Sequence, residues 1–99
     1  MNYELQSTQT FNGWFSGPKD AVVRNKILSR LDRVSHGNFG DCKSLAGNLF
    51  ELRFTFGTGI RIYYTLKGNQ VVLLLAGGDK SSQSRDIEKA KAILNTLED

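Results

Sequence analysis

The chain has 99 residues, of which 39% are hydrophobic and 10% aromatic, and a formal net charge of +3. That length suits one compact domain over residues 1–99 with a modest core, and the mild positive charge admits an anionic partner. The longest wholly apolar run, Val71 to Ala76, falls far short of the roughly 20 residues that cross a bilayer. The amino end, Met1 to Leu5, lacks the basic and then apolar layout of a secretory signal, and the single Cys42 excludes an internal disulfide. A cytoplasmic protein with no membrane partner is expected. His and Cys residues are not clustered at ligand spacing and the carboxylates are scattered, so no metal or cofactor is expected.

Tyr3 and Leu5 alternate with polar neighbours and permit a short opening strand. Thr8 or Thr10 can cap a helix carrying Phe11, Trp14 and Phe15, which Gly17-Pro18 ends. Pro18 suits the start of a second helix, in which Val23, Ile27, Leu31 and Val34 form an apolar stripe. The other side of that helix carries Lys19, Arg24, Lys26, Arg30 and Arg33 against Asp20 and Asp32, a basic face of the kind that is most often simply solvated and that also admits an anionic partner. Turn formers from Ser35 to Asp41 predict a surface loop that contains His36, the only histidine.

Phe50, Leu52 and Phe54 alternate with Glu51, Arg53 and Thr55, the period of a half-buried strand. Gly57-Thr58-Gly59 predicts a reversal, after which Ile60, Ile62, Tyr64 and Leu66 alternate with Arg61, Tyr63, Thr65 and Lys67. The continuous run Val71–Ala76 predicts a central strand covered on both faces. Serines 81, 82 and 84 then offer caps for a last helix, with Ile87, Ala90, Leu94 and Leu97 inward. The expected fold is α+β: an N-terminal strand and helical hairpin packed on a small antiparallel sheet, followed by a C-terminal helix.

Pairing Phe56 with Ile60 would set Arg53 opposite Tyr63, and pairing Lys67 with Gln70 would set Arg61 opposite Ala76. Arg53, Arg61, Tyr63 and Lys80 would then converge on the polar face of the sheet, with Glu51 and Asp79 nearby. That face is the expected working surface.

The series Gly37-Asn38-Phe39-Gly40-Asp41-Cys42-Lys43, Glu51-Leu52-Arg53, Gly57-x-Gly59-x-Arg61-x-Tyr63-Tyr64 and Gly77-Gly78-Asp79-Lys80-x-x-Gln83-x-x-Asp86-Ile87 resembles the HigB-like addiction module killer branch of the RelE/ParE toxin superfamily. The resemblance, from about Tyr3 to Leu97, implies a toxin of a type II toxin-antitoxin operon, neutralised by a cognate antitoxin that in this branch is usually a helix-turn-helix protein. It implies a metal-independent, ribosome-associated endoribonuclease that cleaves mRNA with the 2'-hydroxyl as nucleophile and so inhibits translation. Arg61 matches the family's phosphate clamp, Lys80 lies close to a second catalytic cation, and Arg53 matches a basic residue of the neighbouring strand. Tyr63 and Asp79 are the candidates for proton transfer, and Arg24, Lys26, Arg30 and Arg33 for RNA binding. Glu51 stands where RelE has a lysine, and no tyrosine follows Tyr64. These departures leave open a non-nucleolytic, ParE-like gyrase inhibitor, or a binding-only module that docks an antitoxin or host partner.

Overall fold

A computed structural model of the chain describes residues 2–97; Met1, with which the reading of the amino end begins, lies outside them, as do Glu98 and Asp99. In chain order the elements are β1 (Glu4–Ser7), α1 (Gln9–Ser16), α2 (Ala21–Ser35), β2 (Cys42–Ala46), β3 (Leu49–Arg53), β4 (Arg61–Lys67), β5 (Val71–Gly78), a 3-10 turn (Lys80–Ser82) and α3 (Gln83–Leu97). The strands form one sheet in the order β1-β5-β4-β3-β2. The pairs from β2 to β5 are antiparallel, and β1 lies parallel to β5. The expected α+β architecture is present, in three layers: α1 and α2 cover one face of the sheet and α3 covers the other.

Helix starts follow capping chemistry. The Thr8 hydroxyl accepts from the Phe11 N–H at 3.1 Å and donates to the Leu75 carbonyl at 2.7 Å, fixing α1 to the sheet as it begins. Pro18 does not open α2; Gly17 in front of it ends α1, its N–H bonding the Trp14 carbonyl at 3.2 Å. Asp20 caps α2, its carboxylate accepting from Val23 N–H at 2.9 Å. Within α2 the residues Ile27, Leu31 and Val34 are buried and Val23 is half-buried, as their spacing predicts. Asp79, rather than a serine, begins the last helical segment, and Ser82 completes its capping box. The buried side of α3 is formed by Ile87, Ala90, Ile93 and Leu94, while Leu97 remains 48% exposed. Strand β2 shows no alternation in the sequence because it is an edge strand: only Leu45 is even partly buried, and backbone pairing with β3 defines it.

Register differs from expectation by two residues in the first hairpin. Phe54 N–H bonds the Ile60 carbonyl at 3.0 Å, so the loop between them holds both Gly57 and Gly59 in left-handed backbone. Arg53 consequently faces Arg61, and Glu51 faces Tyr63. A bulge in β5 sets Tyr64 against Leu74 and Tyr63 against Ala76, placing Leu75 and Ala76 together beneath α3. Arg61 therefore faces Gly78 rather than Ala76. Slippage by two residues keeps each side chain on its predicted face but changes its neighbours.

Gly77 and Gly78 end β5 between the two helical layers. A Cβ on Gly77 would lie 2.2 Å from the Trp14 ring of α1, and one on Gly78 would lie 1.8 Å from a carboxylate oxygen of Asp86 on α3. Gly78→Ala should therefore destabilise the fold by about 1–3 kcal/mol, the usual range for overpacking. Gly13→Ala, in a helix interior with nothing within 4 Å of the new methyl, should instead stabilise by about 0.5–1 kcal/mol. Urea unfolding of the two variants tests both signs.

Candidate functional site

The polar face of the β3–β4 hairpin is divided by α3. Glu51 is 1% exposed and Tyr63 is 0% exposed. Glu51 accepts a hydrogen bond at 2.9 Å from the side-chain amide of Gln83 in α3. Among the described residues the Tyr63 hydroxyl has no hydrogen-bond partner. Burial pushes the Tyr63 phenol well above its ordinary range, and the negative charges of Glu51 and Asp86 push it further. The expectation that this whole face is open is thus corrected: α3 needs an apolar bed, and Leu73, Leu75, Ala76 and Tyr63 supply it.

The end of the face at Arg53 and Arg61 remains open. There a cavity of about 480 Å³ is lined by Asp41, Arg53, Thr58, Gly59, Arg61 and Lys80, among others. Gly59, at φ +77°, makes the convergence feasible: its missing Cβ would lie 3.4 Å from Lys80 Cβ and 3.6 Å from Arg61 Nη1. The Lys80 N–H approaches the Thr58 carbonyl at 3.4 Å, tying the end of β5 to the hairpin loop. Arg61 Nη1 donates to the carbonyls of Gly59 and Ile60 at 3.2 and 3.4 Å, while its buried Nε has no acceptor among the described residues. Asp41 pairs with Arg53 at 3.1 Å, and both side chains are more than a third exposed, so that pair contributes at most about 1 kcal/mol. Among the described residues neither Arg61 nor Lys80 has an ion pair.

The five candidates for chemistry therefore separate. Arg53, Arg61 and Lys80 share one cavity, whereas Tyr63 lies under α3. Asp79 lines the neighbouring cleft, and its carboxylate accepts from the Ser81 N–H and hydroxyl at 2.9 and 2.6 Å. The Ser81 hydroxyl is the largest influence that holds the Asp79 carboxyl below its ordinary range. The sequence reading missed Asp41 as the charge partner of Arg53, and Thr58 and Gly59 as cavity walls. The spacing Gly57-x-Gly59 signalled a turn without indicating what the turn would approach.

The basic face of α2 also divides. Arg30 threads its guanidinium into the loop before β2, donating to the carbonyls of Phe39, Asp41 and Arg53 at 2.8 to 3.1 Å. Gly40, at φ +68°, leaves room for it, since a Cβ there would lie 3.1 Å from Arg30 Nε. Burial, followed by neighbouring Arg33, disfavours the charge of Arg30, and Asp41 opposes both. Arg24 donates to the Phe15 and Gly17 carbonyls at the end of α1 and lies 4.9 Å from the centre of the Phe15 ring. Lys26 sits 4.6 Å from the centre of the Phe56 ring. Lys26 and Arg33 line a cavity of about 370 Å³ that shares Asp41, Arg53, Phe54 and Thr55 with the first. A continuous basic track thus runs from Lys80 to Arg33. His36, at the end of α2, keeps Nδ1 2.8 Å from the Asp32 carbonyl oxygen.

A family model described as "Phage derived protein Gp49-like (DUF891)" matches residues 15–97. The chain belongs to this Gp49-like family. A Haemophilus influenzae (strain Rd) relative, described as an uncharacterized protein, is 41% identical over 97 residues, covering 98% of each chain. A structure of a mutant of the E. coli toxin RelE in the free state superposes with a TM-score of 0.67 at 17% identity, covering 90% of this chain and 98% of that one. The fold of this Gp49-like protein is accordingly RelE-like. No helix among its described residues is long and apolar enough to cross a membrane.

Arg30→Ala should cost about 2–3 kcal/mol, because it leaves three carbonyls without a charged donor. Lys26→Ala and Arg33→Ala should change stability by less than about 0.5 kcal/mol, as for other exposed positions. Thermal unfolding of the three variants separates the basic residue that braces the fold from those free to meet a ligand.

Proposed function

We propose that this protein is the toxin of a type II toxin-antitoxin system, a ribosome-associated endoribonuclease of the HigB-like branch that acts on mRNA in the cytoplasm and is held inactive by a cognate antitoxin. The observation that carries the reading is the cross-strand pair Arg53 and Arg61, with Lys80 beside it and Asp41 as the one carboxylate among the described residues that lines their cavity. Like charges directly opposite on a sheet repel. A bound phosphate would relieve that repulsion.

In RNA cleavage of this kind the 2'-oxygen attacks the adjacent phosphorus, the P–O5' bond breaks, and a 2',3'-cyclic phosphate and a 5'-hydroxyl result. Negative charge builds on the non-bridging oxygens during attack, and positioned guanidinium and ammonium groups stabilise it as it forms. Arg61 and Lys80 are assigned that role, with Arg53 as a third cation once phosphate competes for its bond to Asp41. Asp79, one residue before Lys80, is assigned to proton transfer on the cleft side. Tyr63 has no direct part while α3 is seated. Lys26 and Arg33 extend the electrostatic track, and Arg24 and Arg30 support it from within the fold.

A binding-only reading is favoured by one observation: Asp41, the carboxylate in the cavity, is already paired. A ParE-like action on gyrase would use the same cationic surface without cleavage.

Expression of the wild-type chain should arrest growth and produce new message ends. Arg61→Ala should reduce that cleavage by about 10²–10³, the usual effect of removing one fixed charge stabiliser. Unaffected growth in the wild type would sink the toxin assignment, and intact messages with a DNA-damage response would indicate gyrase.

A further inference from the structure

The charge of the chain is unevenly spread. The two cavities that share Asp41 and Arg53 are lined by six basic side chains, Lys26, Arg30, Arg33, Arg53, Arg61 and Lys80, against one carboxylate among the described residues, that of Asp41. The rest of the sequence has seven basic and nine acidic residues, so it is net negative although the whole chain carries +3. The cleft on the other side of Thr58 shows the contrast, for there Asp20, Asp79 and Asp86 balance Lys19, Arg85 and Lys89. An anionic strand lying in the Arg61 cavity therefore finds the balance of charge positive toward α2 and neutral toward α3.

Two features on the α2 side suit a phosphate. Lys26, Arg30 and Arg33 recur at helical spacing along one face, and no acidic residue stands three or four positions from Lys26 or Arg33 to offset them. Both of these side chains are exposed, and among the described residues neither has an ion pair. Like charges so spaced repel. The effect is felt at Arg30, whose charge is disfavoured first by burial and next by Arg33. The second feature is Arg53, which lines both cavities. Its Nε and Nη2 donate to one oxygen of Asp41 at 3.3 and 3.1 Å, which holds the guanidinium at the boundary between them.

The aromatic rings of the α2 cavity are already engaged. Arg30 lies 4.8 Å from the centre of the Phe54 ring and Lys26 lies 4.6 Å from that of Phe56, and the two rings pack edge to face. The cavity thus offers cations to a phosphate, while its aromatic surface is committed to those cations.

We propose that the cavity between Lys26 and Arg33 seats a second phosphate of the same RNA strand, with Arg53 between it and the phosphate held by Arg61 and Lys80, and that this second seat is indifferent to the base. The proposal rests on the RNA reading of the cationic cavity and adds a path to it: the strand leaves along α2 and not across α3.

Fluorescence anisotropy of labelled 2'-O-methyl oligoribonucleotides, which resist cleavage, tests this at low salt. A dinucleotide spans the first seat, and a hexanucleotide spans both. Lys26→Gln with Arg33→Gln should weaken hexanucleotide binding about tenfold and flatten its log–log salt slope by about 0.7 for each phosphate that is no longer neutralised. Dinucleotide binding should change less than about twofold, and exchanging the outer bases of the hexanucleotide should leave the loss as it is. Arg85→Gln with Lys89→Gln removes the same charge from the balanced cleft and should weaken the hexanucleotide less than about twofold. An equal loss in that control would reduce the effect to net charge and overturn the second seat. Hexanucleotide binding that is lost in Arg61→Ala but retained in the Lys26/Arg33 variant would overturn the seat and leave the RNA reading standing. A loss that follows the identity of the outer bases would overturn the seat as a phosphate site. Failure of the wild type to bind the hexanucleotide, or its preference for an acidic peptide, would overturn both readings.

Discussion

The architecture depends on two missing side chains. Gly77 and Gly78 lie where β5 passes between α1 and α3, with Trp14 packed against one and Asp86 against the other. Neither helix could approach the sheet so closely over any larger residue, because a Cβ at either position would enter the van der Waals radius of its neighbour. This packing sets the height of both helical layers. Lys80, two residues beyond Gly78, then emerges beside the β3–β4 loop. The packing constraint and the site are thus consecutive in the chain.

A second constraint acts from the opposite side. The Arg30 guanidinium holds the carbonyls of Phe39, Asp41 and Arg53 together, and so fixes the start of β2 against the end of β3. It also positions Asp41, whose carboxylate meets Arg53. A guanidinium suits this task because its planar array of donors reaches several acceptors at once, which an ammonium at the end of a flexible stem does not. Basic residues on α2 consequently serve two purposes. Arg24 and Arg30 satisfy carbonyls inside the fold, and Lys26 and Arg33 remain on the surface along the basic track.

Much of the fold was legible in the sequence, because burial is periodic and periodicity survives errors in detail. The apolar stripe of α2, the alternation in β3 and β4, and the continuous run in β5 each identified an element and its buried side. Strand β2 was not legible, since its mostly exposed residues carry no pattern. Nor was the register: a loop with two left-handed glycines is longer than a tight reversal, and the letters Gly57-Thr58-Gly59 do not distinguish them. The convergence of Arg53, Arg61 and Lys80 survived because a slip of two residues preserves the face. What failed was the prediction of how far that face stays open. Alternation shows that a strand has two different sides, but it cannot show that Tyr63 and Thr65, being amphipathic or small, can lie beneath a helix as readily as in water.

The line between covered and open is one cross-strand row wide. Glu51 and Tyr63 form one row and Arg53 and Arg61 the next, two residues along each strand. Helix α3 closes over the first row, where Gln83 satisfies Glu51, and leaves the second exposed to the cavity. A negative charge adjoining a cationic site would weaken its attraction for an anion if both faced the same solvent. Here Glu51 is removed from the cavity wall by the same helix that carries Arg85 and Lys89 toward the adjoining cleft. The surface of mixed sign read from the sequence thus becomes a predominantly positive one in three dimensions. The position of α3, rather than the number of arginines in the strands, determines the sign of the field an approaching anion meets.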